Sequence, residues 1–433
     1  MDKNIDAAVG MTRKWDAREA GREVARDTIQ QLDGPPNFFV LFSTIHYKDN
    51  GGFEEFLKGV WDVLPKGTPL VGGTVVGFMN NYGCFTRGAS ALAVSYPNVD
   101  VVIGYGKNVK RNPKKAVIQC SQMIKKGFKS SKYGNKFLLN FVSGPLLMKI
   151  PGQGFKKVVD SGFMGKMIPL VFGISQYLLQ KGFGREDEVF EEIVKRLPDY
   201  HMILGTSMDN NLGLTHYQFI NDEIMTNSVV TLGFSTDLEF DVCTTHGMRQ
   251  TDRKFKITKL SRNRHIIREI NNKPAVPELY NIFNWPDDFL TEKTMINIIP
   301  YYPISLKRHG REVPAVMPFI LNDSIMTPCV IDDGDVSILT ISGKDIIKAM
   351  RENMNSFERI QPEFSLSSTC VTLLSTFGYK MNIVQEEFLN KMEGKPFLMF
   401  FSAGEGTYSP KNNITYANMS YNSAIFGQNK NNV

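Results

Sequence analysis

No window of this 433-residue chain reaches the ~18 uninterrupted apolar residues that a membrane-crossing helix needs, and Met1 to Asp6 carry no basic stretch feeding an apolar run. A span and a secretory leader are therefore not expected, and a cytoplasmic location is. Cysteine is scarce. Cys84, Cys120, Cys243, Cys329 and Cys370 are an odd number without a CxxC pair, so reduced thiols are expected rather than a disulfide framework. His46, His201, His216, His246, His265 and His309 form neither HExxH nor a cluster at metal-ligand spacing, which argues against a metal site. The glycine-rich turns lack the Lys-Ser/Thr of a Walker loop, and no GxGxxG occurs. Nucleotide cofactors are thus not expected.

Charge is nearly balanced, at 50 Lys and Arg against 44 Asp and Glu. The excess gathers in one cluster: Lys107, Lys110, Arg111, Lys114, Lys115, Lys125, Lys126, Lys129 and Lys132. With few aromatics between the charges and no nucleic-acid motif, the cluster reads as a solvated helix face and loop. The 42% hydrophobic content is enough to bury a core in two or three domains.

What is present is a repeat. Pro69 to Gly77, followed by the apolar segments at Ala91 and Val99, is echoed by His201 to Asn210 and then the segments at Val229 and Leu238. An apolar run ending in a small hydroxyl residue precedes each copy, Phe38 to Ser43 and Phe137 to Ser143. This order predicts a duplicated α/β unit whose glycine-rich turns meet at one cleft. Helices are expected at 16–32 with Asp16 as N-cap, at 53–64, at 113–125 with Pro113 in the first turn, at 185–197 and at 344–354. Residues 251–259 and 266–272 read as a hairpin. Between Pro145 and Tyr200 lies an insertion rich in glycine, with Gly152, Gly154, Gly162, Gly165, Gly173, Gly182 and Gly184. The expected fold is mixed α/β: residues 1–283 hold the repeat, about 16–112 and 113–250, and 284–433 form a second α/β domain. The tail from Gly427 is expected to fray.

Candidate ligand-binding residues follow from the turns. Gly72, Gly73 and Thr74, with Gly205, Thr206 and Ser207, could present backbone N–H groups and hydroxyls to a carboxylate or phosphate; tight turns between packed strands are the plain alternative. Asp209 and Asn210 follow the second turn and could read an amine or hydroxyl. His246 sits before a glycine at a strand end. Cys370 lies where a strand enters a helix, a position that favours a thiolate, and Glu405 stands between two glycines at another strand end.

The Gly-Thr units, His246-Gly247 and the series Ile257-Thr-Lys, Ile270-Asn, Pro274-Ala and Tyr280 together resemble the N-terminal half of the FIST sensory domain. Ile331-Asp-Asp-Gly334, Ser368-Thr-Cys370, Glu386 or Glu387, Gly404-Glu405 and Asn418-Met-Ser420 are similar to its C-terminal half. The resemblance runs from about Trp15 to Gly427. It implies an intracellular signalling module that senses small ligands, amino acids among them, and it adds Asn418 to the candidate residues. Leu373, Ala417 and the region of Pro318 stand where the family carries arginine, histidine and arginine. Those departures favour the N-terminal turns as the site.

The resulting expectation is a stand-alone, non-catalytic sensor of a small polar ligand that signals through a partner protein or self-association. A cysteine-dependent acyl-transfer or hydrolytic enzyme using Cys370, with Glu405 or His246 as orienter, and a ligand-free scaffold are the competing readings.

Overall fold

The computed structural model describes residues 5–146, 156–159, 162–210, 213–286, 288–308, 310–411 and 415–430. Gly152, Gly154, His309 and the last three residues of the tail lie outside them. The predicted elements form near their expected bounds. Helix Ala17–Ile29 is capped by the Asp16 side chain, which accepts from the Glu19 N–H. Helix Pro113–Gly127 starts on proline behind the Asn112 cap, and helices Phe53–Trp61, Glu186–Arg196 and Gly343–Asn355 complete the set. The hairpin pairs Ile257 with Ile270.

The repeat is threefold. Three six-stranded sheets share one strand order, each built on a parallel pair: Phe38–Ser43 with Leu70–Thr74, Asn135–Ser143 with His201–Ser207, and Ile360–Cys370 with Phe397–Ser402. On one side of each pair an antiparallel strand follows, Ala89–Ser95, Ser228–Thr236 or Ser420–Asn429, and then an outer strand, Asp6–Thr12, Val99–Lys107 or Glu239–His246. Helices Ala17–Ile29 and Phe53–Trp61 belong to the first unit, Pro113–Gly127, Gly162–Leu178 and Glu186–Arg196 to the second, and Gly343–Asn355, Val371–Phe377 and Met381–Lys391 to the third. Phe38, Phe137 and Phe364 occupy equivalent places, six residues before Thr44, Ser143 and Cys370.

On the other side of each pair the sheet is finished by a hairpin borrowed from a neighbouring unit. Gln218–Ile220 and Glu223–Met225 of the second unit extend the first sheet, Glu405–Tyr408 and Thr415–Ala417 of the third extend the second, and Gly77–Asn80 and Gly83–Phe85 of the first extend the third. The exchange is cyclic. Because all three sheets turn apolar faces inward, one core holds Phe38, Phe42, Phe137, Phe141, Leu366 and Phe400 together; the Phe42 and Phe400 rings lie 4.3 Å apart. A nine-stranded sheet, including Met248–Leu260 and Gly334–Ile341, is inserted between the outer strand and first helix of the third unit. It takes one short strand, Val158–Val159, from the glycine-rich insertion.

Two observations cut across the sequence reading, besides the pairing of the tail as far as Asn429 with the strand from Ile360. The third unit's outer strand, Glu239–His246, belongs to the N-terminal half in sequence but pairs with Ser420–Asn429, so the sheets run across the 283/284 line. Lys110, read as part of a solvated cluster, is 1% exposed. Its ammonium donates to Ser143 Oγ at 2.8 Å and to the Gly144 carbonyl at 2.6 Å, bonds that make burial of an amine tolerable. The other members of the cluster are exposed.

Packing across units makes a direct prediction. A Cβ at Gly205 would lie 2.2 Å from the Phe400 ring of the third unit. Gly205→Ala should therefore lower stability by roughly 1–3 kcal/mol, measured as a shift in urea midpoint at constant m value. An unchanged midpoint would contradict the close contact between the second and third units.

Candidate functional site

A cavity of about 490 Å³ lies where the third unit meets the inserted sheet and the glycine-rich insertion. Its apolar wall includes Phe183, Met295, Ile299, Met317 and Phe319, and its polar groups include Lys157, Glu186, Thr372 and Asn418. A mostly apolar wall with a few converging polar groups is the usual character of a small-molecule site.

Each polar group is placed by a strand end or turn. Cys370 closes the strand Ile360–Cys370 and stands at the N-cap position of the seven-residue helix Val371–Phe377, without a side-chain capping bond. Ala403 and Gly404 turn the chain from Phe397–Ser402 into Glu405–Tyr408. Asn418 bridges two elements, donating to the Ala403 carbonyl at 3.3 Å and accepting from the Val316 N–H at 3.4 Å. Its neighbour Met419 sits at φ 55°, a left-handed conformation unusual for a side chain of this size. Glu186 opens the helix Glu186–Arg196.

Glu186 is the unusual group. It is 2% exposed; Oε1 accepts from the Tyr416 hydroxyl at 3.0 Å, while Oε2 has no hydrogen-bond partner among the described residues. Burial, together with the nearby Asp187 charge, pushes its carboxyl up to about 7. Glycine makes room for it. A Cβ at Gly184 would lie 1.7 Å from Oε2, and one at Gly404 would lie 2.7 Å from the Tyr416 hydroxyl and 2.8 Å from Glu186 Cγ. Beside it, Asp187 faces the Arg308 guanidinium at 3.6 Å, and that guanidinium stands over the Tyr416 ring. Lys110, whose amine burial pushes down to about 7, acts on Glu186 through its charge.

The predicted residues divide into groups. Cys370 and Asn418 line the cavity. Glu405 is buried behind it; Ser402 Oγ donates to its Oε1 at 2.9 Å, Oε2 has no partner among the described residues, and burial raises its carboxyl well above the ordinary value. Asp209 organises the wall without lining it, accepting from the N–H groups of Gly213 at 2.8 Å, Leu214 at 2.6 Å and Thr215 at 3.2 Å, and Gly213 borders the cavity. Asn210 is exposed.

The second glycine turn stands behind the wall. Thr206 Oγ1 accepts from the Ala403 N–H at 3.0 Å, and Ser207 Oγ lies 2.8 Å from His216 Nδ1 and accepts from Gln218. The first turn is further back. Thr74 hydrogen-bonds Tyr217 at 2.9 Å through its hydroxyl and Met208 at 2.8 Å through its carbonyl, and a Cβ at Gly72 would meet the Leu41 carbonyl at 1.7 Å. None of Gly72, Gly73, Thr74, Gly205, Thr206 and Ser207 lines the cavity. His246, at the end of its strand in register with Ser420, does not line it either.

The Cys370 thiol is pushed up to about 12, by burial first and by the Glu405 charge second. Its hydrogen-bond partner is the Thr372 hydroxyl at 3.5 Å, with no imidazole or carboxylate in that role among the described residues. That environment disfavours the thiolate. Glu186, Lys157, Tyr416 and Lys110 were not among the sequence candidates. The glycines around Glu186 carried a signal, since Gly182 and Gly184 precede it in the insertion, but a glutamate opening an acidic helix looks solvated until Gly404 and, 230 residues away, Tyr416 close over it.

A family model described as the FIST N domain matches residues 37–273. No curated protein matches the chain. Among solved structures it is similar to cyanuric acid hydrolase from A. caulinodans, at 6% identity over 55% of this chain and 72% of that one with a TM-score of 0.28, and to PurLQS from Thermotoga maritima, at 13% identity over 98% and 72% with a TM-score of 0.20. Superpositions this loose carry no argument about fold or chemistry. The family model covers more than half of the residues, and the chain belongs to the FIST N domain family.

Proposed function

We propose that this protein is a sensor that binds a small zwitterionic metabolite of amino-acid type in the cavity and passes the signal to a partner protein. FIST is a sensory family, which supports the sensor role. The observation that carries the ligand class is Oε2 of the cavity-lining Glu186, a buried carboxylate oxygen with no hydrogen-bond partner among the described residues. An unpaired buried carboxylate is costly, and a ligand ammonium offsets that cost with a charge-assisted hydrogen bond. Lys157, whose amine is held below its ordinary range by burial with Glu292 opposing, is the matching group for a ligand carboxylate. Thr372 and Asn418, on the same wall, offer neutral hydrogen-bonding groups. The apolar wall accepts a side chain. The glycine turns act here as supports for the wall, and no covalent chemistry is assigned to Cys370.

A thermal-shift screen of the common amino acids, followed by calorimetry on the best ligand, tests this reading. A hit is expected whose affinity falls at least about tenfold in Glu186→Gln, the scale of one charge-assisted hydrogen bond, and survives in Cys370→Ala. Binding unchanged by Glu186→Gln would remove the amine site. Asp209→Ala should weaken the same ligand by freeing the 213–215 segment.

The pH dependence has a definite sign. Glu186 titrates near 7 in the folded protein, above the ordinary carboxylate range, so lowering the pH protonates the group that must pair with an ammonium. Affinity should fall about tenfold per pH unit below about 7. Binding of the same ligand to Glu186→Gln should be flat there, and a pH-independent wild-type affinity between 5 and 7 would contradict a charged Glu186 in the complex.

A further inference from the structure

The large apolar side chains left in solvent are not scattered. Among the described residues, eight of the fourteen lie between Phe163 and Leu179, on or just after helix Gly162–Leu178. Phe163, Met167, Leu170, Ile174, Tyr177 and Leu178 are 36–73% exposed, and their spacing of three or four residues puts them on one stripe. The opposite side is anchored, with Ile168 buried beside Val159, Phe183 and Leu321. Isolated exposed apolar residues need no explanation, but a continuous stripe does.

Charge identifies the occupant. Helix Gly162–Leu178 contains no Asp or Glu. Its C-terminal end is tied to the basic cluster, because Arg111 donates to the carbonyls of Tyr177 at 2.8 Å and Leu178 at 3.1 Å. Lys114, Lys115 and Lys181 are exposed close by. The acids of the helix that follows in sequence are engaged elsewhere: Glu186 and Asp187 are buried, Glu188 pairs with Arg185, Glu192 pairs with Arg196, and Glu191 acts on Arg308. An apolar stripe flanked by cations complements a surface with an apolar interior and anionic edges. No helix of the described residues is long and apolar enough to cross a membrane, so the complementary arrangement is a helix lying in the surface.

We propose that helix Gly162–Leu178 docks on the face of an anionic phospholipid bilayer, its apolar stripe in the acyl boundary and Lys114, Lys115 and Lys181 at the headgroups. Arg111 holds the helix end in place. The proposal is independent of the ligand cavity.

Co-sedimentation of the full chain with phosphatidylcholine vesicles, with and without about 30 mol% phosphatidylserine, tests it. Binding is expected to phosphatidylserine vesicles at about 0.1 M salt and to weaken at about 0.5 M. Leu170→Asp with Ile174→Asp should reduce the bound fraction at least about tenfold, and Lys114→Glu with Lys115→Glu should remove the preference for anionic lipid. Near-UV circular dichroism of both variants should match the wild type, since the substituted side chains are exposed. No binding to anionic vesicles, or equal binding of the aspartate variant, overturns the proposal. So does a concentration-dependent dimer, seen by sedimentation velocity without lipid binding, that the aspartate variant abolishes.

Discussion

Three hydrogen bonds link the three units in a closed ring. The Met208 N–H of the second unit donates to the Thr74 carbonyl of the first at 2.8 Å, the Ala403 N–H of the third donates to Thr206 Oγ1 of the second at 3.0 Å, and the Val76 N–H of the first donates to the Phe401 carbonyl of the third at 3.3 Å. Each bond lies beside a turn from which the chain leaves its own parallel strand pair and enters a neighbour's sheet. No unit can complete its sheet alone, because its last two strands come from another unit. The constraint is topological as much as energetic. Any unit that opened would leave strand edges of another unpaired, which burial does not tolerate.

The cavity is a consequence of that interlock. Ala403, fixed by Thr206, carries the turn that brings Gly404 against Glu186 and presents Asn418 to the cavity. The glutamate itself belongs to the second unit and the tyrosine that holds it to the third. A carboxyl group that would titrate at about 4.3 in water is thus enclosed between two units, with one oxygen hydrogen-bonded and the other without a partner among the described residues. Lys110 and Arg308 place positive charge nearby without bonding to that oxygen.

Much of this was legible in the residues. The period of apolar positions, Asp16 and Asn112 as caps and Pro113 at a first turn were enough to place the helices, since those signals are local. Two of three repeats were visible because both keep Gly-Thr at the turn. The third was hidden by Phe400-Phe401 standing where the others have Gly73-Thr74 and Gly205-Thr206, and by the nine-stranded sheet inserted inside it. Lys110 could not be told from its exposed neighbours, because its burial depends on Ser143 and Gly144, more than thirty residues on. Of the candidates, Cys370 and Asn418 reached the cavity wall through the family resemblance and their strand-end positions. The glycine turns became its supports, for a reason that lies in strand pairing across the whole chain.

Native-state hydrogen exchange at Val76, Met208 and Ala403 tests the interlock most directly. If the three units form one closed ring, these amides exchange only through global unfolding and share one opening free energy, equal to that from urea unfolding. Separate opening free energies, with one amide released well below the global value, would show that a unit opens by itself and would contradict the account.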